Sequence, residues 1–123
     1  MSKLDVEGLQ RALQRFADAR DWEQFHAPKN LASALSVEAA ELLEIFQWLD
    51  EAQSRAVRPG HPLHERVAEE IADVQIYLLR LADKAGVDLD AAVRRKIARN
   101  EEKYPPEKAR GNATKYDRLQ GAE

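Results

Sequence analysis

Glu38 and Glu41 in VEAAE, and Glu70 and Asp73 in EEIAD, are acids spaced three residues apart in two separate stretches of this 123-residue chain. On a helix that spacing puts both carboxylates of a pair on one side, one turn apart, so each helix can offer two oxygen ligands together. Ligation by oxygen alone suits magnesium or manganese better than zinc or copper. The chemistry indicated is that of a divalent-metal site.

The surroundings of the acids strengthen that indication. Leu31, Leu35, Leu42, Ile45 and Leu49 recur at helical steps around the first pair, with Glu38 inside the stripe. Val67, Ile71, Val74, Leu78 and Leu81 do the same around the second, with Glu70 inside and Asp73 at the edge. A carboxylate on a core-facing stripe needs a partner. Arg55 and Arg80 lie well beyond the pairs, and Arg66, one turn before Glu70, can serve one acid at most. Two carboxylates about 5 Å apart repel by about 3 kcal/mol at an effective dielectric of about 20. Several such contacts approach the ~5–15 kcal/mol stability of a small domain. Protonation or a bound divalent cation relieves the repulsion. An isolated acid pair on a solvated helix face would carry no such meaning; two pairs that both intrude on apolar stripes do.

The elements that must position the acids are helical. The segment Leu4 to about Ala19, with Leu9, Leu13 and Phe16 at helical spacing, predicts a first helix. RDWEQFHAPKN (20–30) contains Pro28, breaks the period and is expected to be an ordered loop. Leu31 to about Gln53 predicts a second helix, roughly 34 Å long at ~1.5 Å per residue. The stretch 54–63, with Pro59, Gly60 and Pro62, is a connection. A third helix is expected from about His64 to Lys84, ended by Gly86, and a fourth from an Asp88 N-cap to about Glu102. The tail, about 105–123, is expected to be irregular. A ten-residue connection between two long helices favours an antiparallel hairpin, which brings the acid pairs face to face as one four-carboxylate cup. The expected architecture is all-α and four-helix bundle-like, a single domain over 1–123 whose central hairpin carries the acids.

Composition bounds the function. Hydrophobic residues at 44% and charged residues at 33%, with five Gly and five Pro, fit a globular helical protein rather than a disordered one. No cysteine is present, so thiolate metal sites and disulfides are excluded. Apolar runs are far too short for a membrane span and MSKLDVEG has no signal-peptide core, so a cytoplasmic location is expected. A net charge of −3 and a pI near 5.7 argue against a binder of duplex nucleic acid. The segment VRRKIARNEEKYPPEKARGNATK is nevertheless rich in Lys and Arg, which suits a metal-loaded anionic ligand.

VEAAE and EEIAD, together with RDWEQFHAPKN, EIFQW, EEIADVQIYL, VDL and RGNATKY in this order, resemble the all-α nucleoside triphosphate pyrophosphohydrolases of the MazG type, and specifically their dCTP pyrophosphatase branch. The resemblance runs from about Phe16 to Tyr116. It implies magnesium-dependent hydrolysis of a (deoxy)nucleoside triphosphate, dCTP or a modified pyrimidine nucleotide, to the monophosphate and pyrophosphate. Glu38, Glu41, Glu70 and Asp73 are then both the metal ligands and the catalytic acids, with Mn2+ a possible substitute for Mg2+. Glu44, one turn beyond Glu41, is either an outer helper or a solvated residue. Trp22, His26, Trp48 and Tyr77 are implied for base and sugar, since aromatic faces sandwich a pyrimidine at about 1–3 kcal/mol per stacked base; core packing is the alternative for the two tryptophans. Lys96, Asn100 and Lys115 are implied for the phosphates, with Arg95, Arg99, Lys103 and Arg110 able to do the same work. His61 and His64 are expected to be solvated.

Vertebrate relatives of that branch carry a base-pocket histidine in the first helix where this chain has Leu13, which leaves base preference open. The resemblance also implies a homodimer or homotetramer. The rivals are a broad-specificity nucleotide hydrolase and a non-catalytic helical interaction module; a di-iron carboxylate bundle would need Glu-x-x-His pairs, which the chain lacks.

Overall fold

The computed structural model describes residues 3–113. Within them the chain forms helices α1 (Val6–Ala19), α2 (Pro28–Phe46), α3 (Glu51–Arg55), α4 (His64–Lys84), α5 (Leu89–Lys103) and α6 (Pro106–Ala109), with a short 3-10 turn at Glu23–Phe25. Its described residues contain helices and turns and no strand, as expected of an all-α chain. Two compact units are present, one ending at Val87 and the other beginning at Asp88.

In the first unit α2 and α4 are the main packing partners and α1 lies against α4. The hairpin is antiparallel. His26, just before α2, is hydrogen-bonded to Arg80 near the end of α4, whereas Glu38 in mid-α2 lies against Glu70 and within reach of the Asp73 charge, early in α4. Position along one helix therefore rises as position along the other falls. Ala17, Leu31, Ile45, Leu79 and Ala82 form the buried core. Of the two stripes, one residue departs: Ile71 is 53% exposed.

Capping residues account for most of the boundaries. Asp5 accepts the backbone N–H of Gly8 at 3.0 Å, so α1 begins at Val6 rather than Leu4. Pro28 does not break a helix but opens one: it occupies the first turn of α2, where its missing N–H has no intrahelical role. The second helix expected to run to about Gln53 stops at Phe46. Asp50 starts a new helix there with a capping box, accepting the Gln53 N–H at 2.7 Å while the Gln53 side chain accepts the Asp50 N–H at 2.8 Å. At 19 residues α2 is about 28 Å long, shorter than the continuous helix expected. The α4 limits match those read from the sequence, and Gly86, at φ 68°, supplies the left-handed turn that ends it.

The second unit holds α5 and α6. Asp88 caps α5 as expected, accepting the Ala91 N–H at 3.1 Å. A single helical turn, α6, interrupts the segment expected to be irregular.

Candidate active site

Position along the two long helices brings the acids together. Carboxylate oxygens of Glu38, Glu41 and Glu70 all lie within 4.8 Å of one another, two from α2 and one from α4. Asp73 is outside this trio but close enough for its charge to act on Glu38. The expected cup is thus present as three gathered carboxylates with a fourth at its edge. Glu44 is exposed.

Electrostatically the cup is frustrated. Burial, then contacts with Glu41 and Glu70, then the charges of Glu41 and Asp73 push the Glu38 carboxyl up from 4.5 to about 7. Glu38 Oε2 and Glu70 Oε2 are buried and receive no hydrogen bond. None of the ion pairs among the described residues reaches the cup. Orphaned buried acceptors of this kind are rare and call for an explanation. Three convergent carboxylates with two unsatisfied inward oxygens fit a divalent cation of the magnesium type, for which oxygen is the preferred donor.

The aromatic residues are placed differently from one another. Trp22 packs edge-on against Phe16, with ring centroids 5.6 Å apart and planes at 69°, and against His26 at 6.4 Å and 62°. With Leu13, Phe16, Ile76 and Arg80, Trp22 and His26 line a cavity of about 120 Å³. Tyr77 lies one turn after Asp73 on α4 and is half-buried. Trp48, just past the end of α2, is 87% exposed. The alternative that Trp48 is a core residue is therefore overturned within one copy of the chain.

His26 closes the 3-10 turn, its backbone N–H donating to the Glu23 carbonyl, and its ring is held by α4. Its Nδ1 accepts from Arg80 Nε at 3.2 Å, and burial followed by the nearby Arg80 charge lowers its pKa below 6.5. His61 is not merely solvated: its Nδ1 accepts the Leu63 N–H at 3.0 Å and helps to start α4. The residue that the spacing of acids could not reveal is Arg80 itself, which is only 2% exposed and joins α4 to Gln14, Glu23 and His26. Its signal was an arginine inside the apolar run YLLRLA.

In the second unit, Lys96, Arg99, Asn100 and Lys103 fall at three- and four-residue steps on α5. The charge of Lys96, then burial, then Arg99 lower the Lys103 ammonium pKa, which is the mark of crowded cations. Lys115 lies outside the described residues.

An all-α frame whose central antiparallel hairpin carries a carboxylate cup defines a class of metal-binding helical proteins, and sequence comparison places the chain within it. Residues 33–119 match the MazG-like family, and the chain belongs to that family. It is similar to dCTP pyrophosphatase 1 of Mus musculus, 44% identical in an alignment of 119 positions that covers 93% of this chain and 67% of the mouse protein. The Homo sapiens protein of the same name is 43% identical over 116 residues, 93% of this chain and 67% of the human one. Among solved structures, a pyrophosphatase from Archaeoglobus fulgidus is 45% identical and superposes with a TM-score of 0.72, over 85% of this chain and 96% of that one. Among the described residues no helix is long and apolar enough to cross a membrane.

Proposed function

We propose that the chain hydrolyses a (deoxy)nucleoside triphosphate, dCTP or a modified pyrimidine nucleotide, to the monophosphate and pyrophosphate. The observation that carries this is the cup itself: three convergent carboxylates, two with buried and unsatisfied oxygens, on the paired helices of a MazG-like chain. The names of the mammalian relatives support dCTP as the substrate to test first.

Glu38, Glu41 and Glu70, with Asp73 at the edge, would hold Mg2+. The chemistry supplied there would be neutralisation of the negative charge of the cup and the triphosphate and a lowered pKa for water. The protein's own part is to hold the acids together on two rigid helices and to accept a proton from the attacking water through one carboxylate. Trp22, His26, Trp48 and Tyr77 receive the base and sugar, and Lys96, Asn100 and Lys115 grip the phosphates. The two compact units serve one catalytic domain, a view supported by the family match, which runs from residue 33 to 119 without stopping at the junction after Val87.

The chain works as a homodimer or homotetramer, in the cytoplasm. Support for assembly comes from large apolar side chains left in solvent, among them Leu43 at 66%, Ile71 at 53% and Trp48 at 87% exposure. A broad-specificity hydrolase is the second reading, and Leu13 in the wall of the small cavity is what favours it, since it offers no hydrogen bond to a base edge. Turnover of each dNTP and NTP with magnesium separates the two. A preference for dCTP or its 5-substituted forms supports the first, equal rates across bases support the second, and no turnover of any nucleotide would remove both.

A further inference from the structure

Arg80 is the most deeply buried charged side chain among the described residues, and it stands two turns along α4 from Asp73. Its guanidinium is almost fully used. Nε donates to His26 Nδ1 at 3.2 Å, the first terminal nitrogen donates to Gln14 Oε1 at 2.8 Å, and the second donates to Glu23 Oε2 at 3.2 Å and lies 2.9 Å from His26 Nδ1. Glu23 is held in turn by Lys84 and by Gln14 Nε2, and Gln14 Nε2 also donates to Asp18. One arginine thus ties α4 to α1 and to the turn that carries Trp22 and His26.

The consequence for His26 follows from donor inventory. A guanidinium has donors only, so the imidazole nitrogen facing it must accept. Nδ1 therefore carries no proton, and a neutral ring must carry its proton on Nε2. Left alone, a histidine beside a ligand cavity exchanges between two tautomers and turns freely; here one tautomer and one ring orientation are selected.

We propose that Arg80 is a positioning residue for base recognition: it fixes His26 as an Nε2–H hydrogen-bond donor beside Trp22 at the small cavity. This rests on the assignment of Trp22 and His26 to the base pocket. The groups that bear on His26 are Arg80 and, through it, Glu23 with Lys84, and Asp18 at one remove through Gln14. A site built to donate one hydrogen bond favours a base that presents an acceptor there, and loses that discrimination when the donor is free to turn.

The test uses the full-length protein and imidazole nitrogen NMR at neutral pH, followed by steady-state kinetics. In the wild type, His26 is expected to show a protonated Nε2 and an unprotonated Nδ1; a tautomer mixture or a protonated Nδ1 overturns the proposal before any variant is made. Arg80→Met, which replaces a buried charge with an apolar chain of similar length, is expected to release His26 into a tautomer mixture. It should also raise KM roughly tenfold for the preferred nucleotide, the worth of one hydrogen bond, with kcat little changed and with smaller effects on other bases. An unchanged His26 spectrum in Arg80→Met overturns the role of Arg80 while leaving the base-pocket assignment intact. A changed spectrum with KM unchanged for every nucleotide leaves Arg80's hold on His26 standing and refutes the use of His26 in base recognition.

Discussion

Replacing Glu38 by Gln removes the charge at the centre of the cup while keeping its shape. The cup raises this carboxyl from 4.5 to about 7, and because the group is partly open to solvent, screening reduces the penalty for ionised Glu38 to about 1–2 kcal/mol. The sign follows from linkage. A carboxyl whose folded pKa is raised contributes its stability in full below the unfolded value of 4.5 and loses it as pH rises through about 7. Above pH 8, without divalent ion, Glu38→Gln is therefore expected to be the more stable protein by about 1–2 kcal/mol, or roughly 4–8 °C in melting temperature for a chain of this size. Added magnesium should stabilise the wild type and leave the variant nearly unmoved, because the variant has lost an anionic ligand. Scanning calorimetry at pH 5.5 and pH 8, with EDTA and with millimolar Mg2+, measures all of this in one series. A Glu38→Gln protein that is no more stable than wild type in EDTA at pH 8, and that still gains as much from magnesium, would refute the frustrated-cup reasoning.

Further outcomes follow from the same geometry. Trp48→Ala should cost little stability in the isolated chain, since the ring is 87% exposed, yet raise KM for the preferred base more than for others; an equal rise for all nucleotides would show that Trp48 does not read the base. Lys96→Ala should weaken nucleotide binding several-fold with a shallower salt dependence, and an unchanged KM at low salt would remove it from the phosphate grip. His26, whose pKa is lowered by burial and by Arg80, contributes stability that is present above pH 6.5 and lost as pH falls through its folded value; His26→Gln should flatten that part of the stability profile, and a parallel decline in both proteins would contradict it. Asp50→Ala, which removes the capping box of α3, should cost about 1 kcal/mol in thermal unfolding without changing kcat.

What could be read from the sequence was local. The Asp88 cap, the Gly86 stop and the limits of α4 each depend on residues within one turn of the boundary. The acid pairs were legible for the same reason: i,i+3 spacing fixes which face they share, and α2 and α4 pair antiparallel as expected although the connection between them, 47–63 with α3 inside it, is longer than the ten residues read from the sequence. The break in the second helix was also written locally, in Asp50 and Gln53, but the apolar period running from Leu42 through Leu49 outweighed it. Pro28 was read as a breaker although its position fits the first turn of a helix equally well. Arg80 was out of reach by spacing alone, because its partners stand 54, 57 and 66 residues away and only the packing of α1 and α4 unites them. The same holds for Asp73, whose place at the edge of the cup depends on how α4 is rotated against α2.

The central claim is that the cup formed by Glu38, Glu41 and Glu70 hydrolyses a nucleoside triphosphate to the monophosphate and pyrophosphate. It is tested most directly by incubating the purified protein and its Glu38→Gln variant with dCTP and magnesium and resolving the products by anion-exchange chromatography. Equimolar dCMP and pyrophosphate from the wild type, with none from the folded variant, is the expected result. Release of orthophosphate, or wild-type turnover by Glu38→Gln, would contradict it.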